Sequence, residues 1–260
     1  MLQRVVVEPG QIHLPHITFA PEQQHYLTRV LRLQTGDRVI VLDGQGQAWL
    51  TTLDSPTTAQ VVEPLASQTE LAIAVTLVIA LPKGNALDDV VRQATELGVQ
   101  QIQPVISDRT LLHPSPQKLE RWRRIAQEAT EQSERQVVPT VLEPLPWRDH
   151  RAHLSSQSPS PCAYLCTPRQ SAPHLLTHRR TADPRTPVFL AIGPEGGWTD
   201  TEIDQAIAAG YQLTSLGDRI LRTVTAPLVA LSLIAAISDS GFATDLTATD
   251  LTAAPRPPAT

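Results

Sequence analysis

The chain shows two different patterns of hydrophobic and polar positions, and the first pattern covers residues 1–68. Here short apolar segments alternate with turn residues, a pattern typical of β-strands. The stretch DRVIVLDGQGQAWLTTLDS (37–55) predicts a hairpin that turns at Gly44 and Gly46, and TAQVVEPL (58–65) predicts a further strand. One amphipathic segment, PEQQHYLTRVLRL, predicts a helix whose apolar residues at helical spacing are Leu27, Val30 and Leu31. The region therefore predicts a small β-barrel-like domain.

After this region the pattern changes to long apolar runs that alternate with amphipathic segments. ELAIAVTLVIAL (70–81) is continuously apolar, as expected for a strand that is covered on both faces. NALDDVVRQATELG predicts a helix that begins after Asn85 and ends at Gly98, and Ser115-Pro116 predicts the start of a longer one. The buried face of the longer helix is predicted to consist of Leu119, Trp122, Ile125, Ala126 and Ala129. Further strands at IQPVI, AYLC and VFLAIG complete a predicted, mostly parallel α/β sheet.

Composition and charge narrow the class of protein. The 260 residues are 41% apolar and 18% charged, as in an ordinary globule, and a net charge of −5 means that any nucleic-acid-binding surface must be local. No apolar run has membrane-spanning length and the first ten residues lack a signal-peptide layout, so a cytoplasmic location is expected. Cys162 and Cys166 lack a second cysteine pair, so no metal site is predicted. Residues 152–161 predict a polar loop, and the tail 244–260 is expected to be disordered.

The most unusual stretch is VFLAIGPEGGWTDTEIDQAI, in which GPEGG (193–197) joins a predicted strand to a predicted helix. Thr199 and Glu202 form a capping-box pattern that marks where this helix begins. Ligands of open α/β sheets lie at the carboxyl ends of strands, and glycines let a ligand approach the main chain there. A tight packing turn is an equally good interpretation of this stretch alone. A phosphate site is disfavoured, because no lysine follows Gly197 and Glu195 would repel a phosphate.

A second stretch, LTSLGDRILRTVTAPLVALSLIAAI (213–237), combines a charged loop with an apolar helix. A short strand is predicted to end at Gly217, and the helix over 227–237 is apolar almost all round and so is predicted to be buried. The loop between them carries Asp218, Arg219 and Arg222. Taken alone, the residues favour a structural role for Arg222, in a salt bridge or as a carbonyl cap.

Together, IGPEGGWTDTEI and LGDRILRTVTA resemble the signature of the bacterial small-subunit ribosomal RNA uridine-N3 methyltransferases, the RsmE type of the SPOUT superfamily. ALPKG, ATELGV, RWRRIAQEATEQSERQ and VP follow in the order of that family, and HYLTRVLRLQTGD with LDGQG resembles its N-terminal domain. The resemblance implies a PUA-like β-barrel RNA-binding domain over 1–68 and a SPOUT-type α/β domain with a deep trefoil knot over 69–243. The chain departs from the family at Val224, where an acidic residue is usual, and at Gln93, where lysine is often found.

The resemblance further implies S-adenosylmethionine as the cofactor, 16S ribosomal RNA of the small subunit as the partner, and a homodimer whose active site is completed near the partner subunit. Methyl transfer to a uridine N3 requires no metal, and a positive group near the base would stabilise the developing anion. Arg222 is the candidate for that role and Arg219 the second. The cofactor pocket is expected to be lined by Leu165, Ile192, Gly193, Pro194, Glu195, Gly196, Gly197, Leu216, Gly217, Ile220, Leu221 and Thr223. A general base is left open among Glu195, Asp218, Glu131 and water.

RNA contact is assigned to a local stripe of positive side chains. His25, Arg29 and Arg32 are predicted to share one helix face, and Arg4 is expected to join them. The long helix carries a second set, interleaved with glutamates as on a solvated face: Arg121, Arg123, Arg124 and Arg135. Because N3 lies on the pairing edge, the target base must be unpaired or flipped out. A methyltransferase of the same fold that acts on tRNA and a non-catalytic RNA-binding protein, for which Val224 is the argument, remain as alternatives.

Overall fold

The computed structural model describes residues 2–66, 69–110, 114–154, 160–167, 171–183 and 185–240. Over these residues the chain has an α/β fold built on two sheets. The expected disordered tail, 244–260, lies outside the described residues, as does the middle of the polar loop expected at 152–161, residues 155–159. Residues 152–154 of that loop were wrongly assigned, because they belong to a helix, Trp147–Leu154.

The first sheet has six strands and mixes parallel with antiparallel pairing. Its strands are β1 (Arg4–Val6), β2 (Ile12–His13), β3 (His16–Thr18), β4 (Arg38–Leu42), β5 (Ala48–Ser55) and β6 (Thr58–Leu65), in the order β1-β4-β5-β6-β3-β2. The predicted hairpin is confirmed, because β4 and β5 pair antiparallel with Leu42 opposite Ala48. Gly44 and Gly46 take φ values of +69° and +113° in its turn, which favour glycine. The predicted third strand is β6, antiparallel to β5.

The helical segment of this region differs from its prediction. It consists of α1 (Pro21–His25) and a π-helical turn (Tyr26–Val30), in which the N–H of Leu31 bonds the carbonyl of Tyr26, five residues back. A π turn holds more residues than an α turn, so the α-helical spacing no longer decides which side chains face inward. Leu27 is buried as predicted, whereas Val30 is 58% exposed.

The second sheet has seven strands, all parallel, as the alternating pattern predicts. They are β7 (Val75–Ala80), β8 (Gln101–Ile106), β9 (Thr140–Val141), β10 (Leu145–Pro146), β11 (Cys162–Cys166), β12 (Val188–Ile192) and β13 (Gln212–Thr214). The order is β10-β8-β7-β12-β11-β13, with β9 also paired to β8. Because β12, β11 and β13 are neighbours, the loops that follow these three strands meet at one edge of the sheet.

The helices around this sheet are α2 (Ala86–Glu96), α3 (Pro116–Gln132), α4 (Trp147–Leu154), α5 (Leu175–Thr181), α6 (Asp200–Ala208) and α7 (Thr225–Ser240). All five residues predicted for the buried face of α3 are buried. Asn85 precedes α2 as predicted, although its side chain makes no capping hydrogen bond, and Gly98 follows it with a φ of +88°. Periodicity thus places both helices correctly.

The last helix is only partly buried, so the prediction that it is enclosed on all sides is wrong. Ala230, Leu231 and Ile234 of α7 belong to the main core and are fully buried. On the opposite face Ser232 is exposed and Leu228 and Val229 are half-exposed. Within the described residues, one face of this largely apolar helix is therefore only partly covered.

Main-chain and side-chain contacts connect the first sheet to the region around α3. Val6 N donates to the Glu131 carboxylate at 2.8 Å, and Arg4 and Glu134 form an ion pair at 2.8 Å. The hairpin turn adds a hydrogen bond of 2.9 Å from Val138 N to Gly44 O. Glu131 is therefore engaged at this junction, and it does not line the pocket described below, so the structure gives it no role as a general base.

Candidate cofactor and active site

A cavity of about 850 Å³ lies where the loops after β11, β12 and β13 meet. This volume falls within the range of roughly 300–1,000 Å³ that is typical of small-molecule sites. Every residue predicted for the cofactor pocket lines this cavity except Leu165. Leu165 is fully buried in the core on the other face of the sheet, because side chains alternate along β11. Cys166 and Thr167, the next two residues, line the cavity instead.

The glycine-rich turn after β12 is held by local hydrogen bonds. The N–H of Gly197 donates to the carbonyl of Pro194 at 2.8 Å, and Gly197 has a φ of +71°, which favours glycine. The predicted capping box is confirmed: Thr199 Oγ1 accepts from Glu202 N at 3.2 Å, and Glu202 Oε2 accepts from Thr199 N at 2.8 Å. The helix α6 therefore begins at a fixed point beside the cavity.

The carboxylate of this turn is bonded away from the arginines. Glu195 Oε1 accepts a 3.0 Å hydrogen bond from the main-chain N–H of Lys83, in the loop between β7 and α2. Among the described residues, no ion pair joins Glu195 to Arg219 or Arg222. Glu195 therefore connects the glycine-rich turn to the loop after β7 and forms no ion pair with the two arginines.

The loop after β13 carries these two arginines to the cavity. Gly217 has a φ of +109°, and its N–H donates to Ser215 Oγ at 3.0 Å. Arg219 and Arg222 both line the cavity and are exposed, and neither guanidinium has a hydrogen bond or ion pair within the part of the chain that the structure describes. The structural role that the residues alone favour for Arg222 is therefore not observed. Val224, at the position where the family usually has an acidic residue, packs against the main core.

Two residues that line the cavity carry buried polar atoms. The Thr167 hydroxyl and the Trp198 indole N–H are buried and find no hydrogen-bond partner among the described residues. Buried polar groups without partners are rare in folded proteins, so these two atoms are unusual features of the cavity wall. Cys166 is an unsuitable nucleophile, because burial raises the pKa of its thiol to about 12 and keeps it protonated at neutral pH.

Sequence reasoning missed a residue that contacts the turn from another strand. The guanidinium of Arg109, in the loop after β8, donates to the carbonyls of Gly196 and Trp198. In the sequence, Arg109 could have been identified only by its position. It is a charged residue that lies three positions after β8, a buried strand that ends at the same edge of the sheet. The contact itself spans 87 residues of sequence.

The residues predicted for RNA contact do not form one stripe. His25 ends α1 and is exposed, and Arg29 lies in the π-helical turn and is also exposed. Arg32 lies beyond the helix with a φ of +57°, so the prediction of a shared helix face is wrong for it. Arg4 is held in the ion pair with Glu134. In the second set, Arg135 is 2% exposed and bonded to Glu70, so it is a structural residue and not part of a solvated face.

Comparison with known proteins identifies the class and then the family. A family model described as an RNA methyltransferase domain matches residues 69–235, and one described as an RNA methyltransferase PUA domain matches residues 19–63. Ribosomal RNA small subunit methyltransferase E of Synechocystis sp. is 48% identical over 92% of this chain and 79% of its own length. The protein of the same name from Bacillus subtilis is 30% identical over 85% of this chain and 90% of its own length.

A solved structure agrees with these relatives. The crystal structure of a ribosomal RNA small subunit methyltransferase E from Neisseria gonorrhoeae bound to S-adenosyl methionine is 30% identical, with a TM-score of 0.80. The match covers 92% of this chain and 98% of that one. The chain therefore belongs to the ribosomal RNA small subunit methyltransferase E family.

None of the helices in the described part of the chain is long and apolar enough to cross a membrane. No group of three or more His, Cys, Asp or Glu side chains is placed so that it could hold a metal ion, again within the described ranges.

Proposed function

We propose that this chain transfers a methyl group from S-adenosylmethionine to N3 of one uridine in 16S ribosomal RNA. The observation that carries the proposal is the cavity itself. Two glycine-bearing loops line it, and so do Arg219 and Arg222, whose guanidinium groups have no partner among the described residues. Family membership supplies the reaction class, and the relatives' names point to the small-subunit RNA. The N3 position comes from the resemblance of the two motifs to the uridine-N3 enzymes.

The chemistry requires little beyond placement and charge. S-adenosylmethionine, when bound, supplies an electrophilic methyl group on a sulfonium. The chain's own task is to hold the uridine with N3 in line and to favour loss of the N3 proton. A guanidinium beside a base carbonyl would stabilise the negative charge that develops there, and Arg222 is the group we assign to it, with Arg219 second. Neither arginine has to give up a protein partner to do so within the described part of the chain.

We also propose the finer architecture that the resemblance implies. Residues 1–68 would form a PUA-like barrel that contacts RNA, and 69–243 a SPOUT domain whose chain is tied in a deep trefoil knot. Support for the barrel comes from the match of the PUA-domain description to residues 19–63. Support for the knotted domain comes from three neighbouring parallel strands whose loops converge on one cavity.

A homodimer is the third part of the proposal. The half-exposed face of α7 includes Leu228 and Val229, which belong to none of the hydrophobic clusters formed by the described residues. The exposed Ser232 lies on the same face. The helix begins three residues after Arg222, so a partner packed on α7 would lie close to the active-site loop.

The test is methyl transfer from labelled S-adenosylmethionine to small ribosomal subunits that lack their native methylations, with the product mapped by primer extension. One strong stop at a single uridine is expected, since N3 methylation blocks base pairing. Transfer to tRNA but not to the subunit would replace the proposed substrate. Cofactor binding without transfer to any RNA would favour a binding protein that has kept the fold.

A further inference from the structure

The loop that follows β8 is built as a fixed element against the glycine-rich turn. The hydroxyls of Ser107 and Thr110 lie 2.9 Å apart, and Ser107 N donates to Thr110 Oγ1 at 3.0 Å. These bonds close the loop on itself before it reaches the cavity. The two residues between them, Asp108 and Arg109, make the contacts that matter.

Asp108 ties the loop to the start of α6. Its N–H donates to Glu202 Oε1 at 2.9 Å, and its Oδ2 accepts from Thr199 Oγ1 at 3.2 Å. Glu202 is 3% exposed and already closes the capping box of α6. One buried carboxylate therefore holds both the helix start and the β8 loop in place.

Arg109 bonds the turn itself. Its Nη1 donates to the carbonyl of Gly196 and, at 3.3 Å, to the carbonyl of Trp198. The two carbonyls flank Gly197, the residue of the turn with positive φ. Among the described residues, no acidic side chain forms an ion pair with Arg109, and its hydrogen bonds go to the two carbonyls of the turn. A planar guanidinium that holds two carbonyls fixes the orientation of two peptide planes at once.

The geometry also explains Gly196. Its φ lies outside the left-handed region, so its backbone conformation does not require glycine. A Cβ at this position would come within 3.1 Å of Cδ and 3.6 Å of Cβ of Arg109. All three of its nearest atoms belong to that one side chain. The space that glycine leaves is therefore occupied by the arginine stem.

We propose that Arg109 is a positioning residue that holds the glycine-rich turn in the shape that accepts the cofactor, and that Gly196 is small so that Arg109 can cross it. The inference rests on the proposed function of the cavity. It assigns to a loop 87 residues away the role of setting the main-chain geometry at the cofactor site.

Arg109→Met and Arg109→Lys separate the bonding from the packing. Methionine keeps an unbranched stem but has no donor, whereas lysine keeps the charge and a single donor nitrogen without the planar fork of the guanidinium. The control is Arg92→Met, which removes an exposed arginine of α2 whose partner is Asp89 at 2.9 Å. Binding of S-adenosylmethionine is measured by calorimetry, and KM for cofactor and RNA by methyl transfer. Thermal unfolding of each apo variant shows whether it folds.

Loss of two charge-assisted bonds is expected to raise the cofactor Kd of Arg109→Met about tenfold, with a smaller rise for Arg109→Lys. KM for the cofactor should rise in parallel, while KM for RNA stays within about twofold, a split that a loss of fold would not produce. Arg92→Met should match the wild type. A wild-type Kd in a folded Arg109→Met variant would overturn the inference, whereas failure of the wild type itself to bind would overturn the proposed function.

A double-mutant cycle tests the explanation of Gly196. Gly196→Ala is expected to weaken cofactor binding in the wild type, because it displaces Arg109. In an Arg109→Ala background the stem is gone, so Gly196→Ala should cost nothing further. If alanine at 196 weakens binding equally in both backgrounds, its methyl group meets the cofactor and not Arg109, and the coupling proposed here is wrong.

Discussion

The main-chain N–H of Lys83 donates a 3.0 Å hydrogen bond to the carboxylate of Glu195, so the turn after β12 is fastened to the loop after β7. That loop is itself held from the other side, because Lys118 Nζ donates to the carbonyl of Gly84 at 2.9 Å. The carboxylate of Glu195 therefore has a specific hydrogen-bond partner, the main-chain N–H of Lys83. Glu195 is therefore better placed to shape the cavity than to remove a proton.

Replacing Glu195 distinguishes these two roles. Glu195→Gln keeps an oxygen that can accept from Lys83 N, and we expect its cofactor Kd and its rate to stay within about twofold of the wild type. Glu195→Ala removes the acceptor and should weaken cofactor binding about fivefold, the equivalent of one hydrogen bond. Calorimetry and methyl-transfer rates measure both. A large loss of rate in Glu195→Gln would instead identify the charge as essential and restore Glu195 as a general base.

Removing the side chain of Arg222 should affect the reaction and not the fold. The guanidinium is exposed and has no partner in the described part of the chain, so Arg222→Ala is expected to change the free energy of unfolding by less than about 0.5 kcal/mol. Methyl transfer at saturating cofactor should fall more than about tenfold, because a donor to the developing charge is lost. Single-turnover kinetics with small subunits provide the rate.

Arg219→Ala is the matched control, since Arg219 is exposed, unpaired among the described residues and in the same loop. A larger loss there than in Arg222→Ala would exchange the roles we assign to the two arginines. Full activity in both folded variants would remove the arginines from the chemistry.

The fold could be predicted where the local pattern carries the information. The buried face of α3, the hairpin at Gly44 and the capping box at Thr199 follow from spacing within a few residues, and all three are observed. The π-helical turn could not be predicted, because nothing in the apolar spacing of Leu27 and Val30 marks the extra residue in the turn.

The same distinction between local patterns and distant contacts applies to the candidate site. The two glycine-bearing loops are local motifs, so their residues could be named from the sequence. The contacts of two arginines could not, because their partners are distant in the chain: Arg109 bonds Gly196, and Arg135 bonds Glu70 together with the carbonyls of Thr95 and Val99. An arginine beside glutamates, such as Arg135, has the sequence signature of a solvated position even when folding buries it.

Glu131 should make the stability of the protein depend on pH. Burial at the junction with β1 raises the pKa of its carboxyl group from 4.5 to about 7, although the hydrogen bond from Val6 N opposes this, and Glu128 adds to the increase. The folded state therefore holds a proton that the unfolded chain releases near pH 4.5. This contribution to stability is complete below about pH 4.5 and is lost as the pH rises through about 7.

Glu131→Gln tests this sign, because glutamine keeps an acceptor for Val6 N and cannot ionise. The difference in free energy of unfolding between variant and wild type, measured in urea from pH 5 to pH 8, should shift in favour of the variant as the pH rises. Glu120→Gln, at a side chain of the same helix that is 70% exposed, is the control and should show a flat difference. A flat difference for Glu131→Gln as well would mean that the carboxyl group titrates normally in the folded protein.

The uncovered face of α7 predicts the oligomeric state. A helix that buries Ala230, Leu231 and Ile234 on one side, yet leaves Leu228 and Val229 half-exposed on the other, is expected to pack against a second copy. Light scattering should therefore give twice the chain mass of 28.4 kDa.

Val229→Glu places a charge in that face and should yield a folded monomer with reduced methyl transfer, because the helix starts beside the active-site loop. Ile207→Glu, at an apolar residue of α6 that is 49% exposed, should leave both dimer and activity intact. If Val229→Glu remains dimeric while Ile207→Glu dissociates, the interface lies on α6 and the argument from α7 fails.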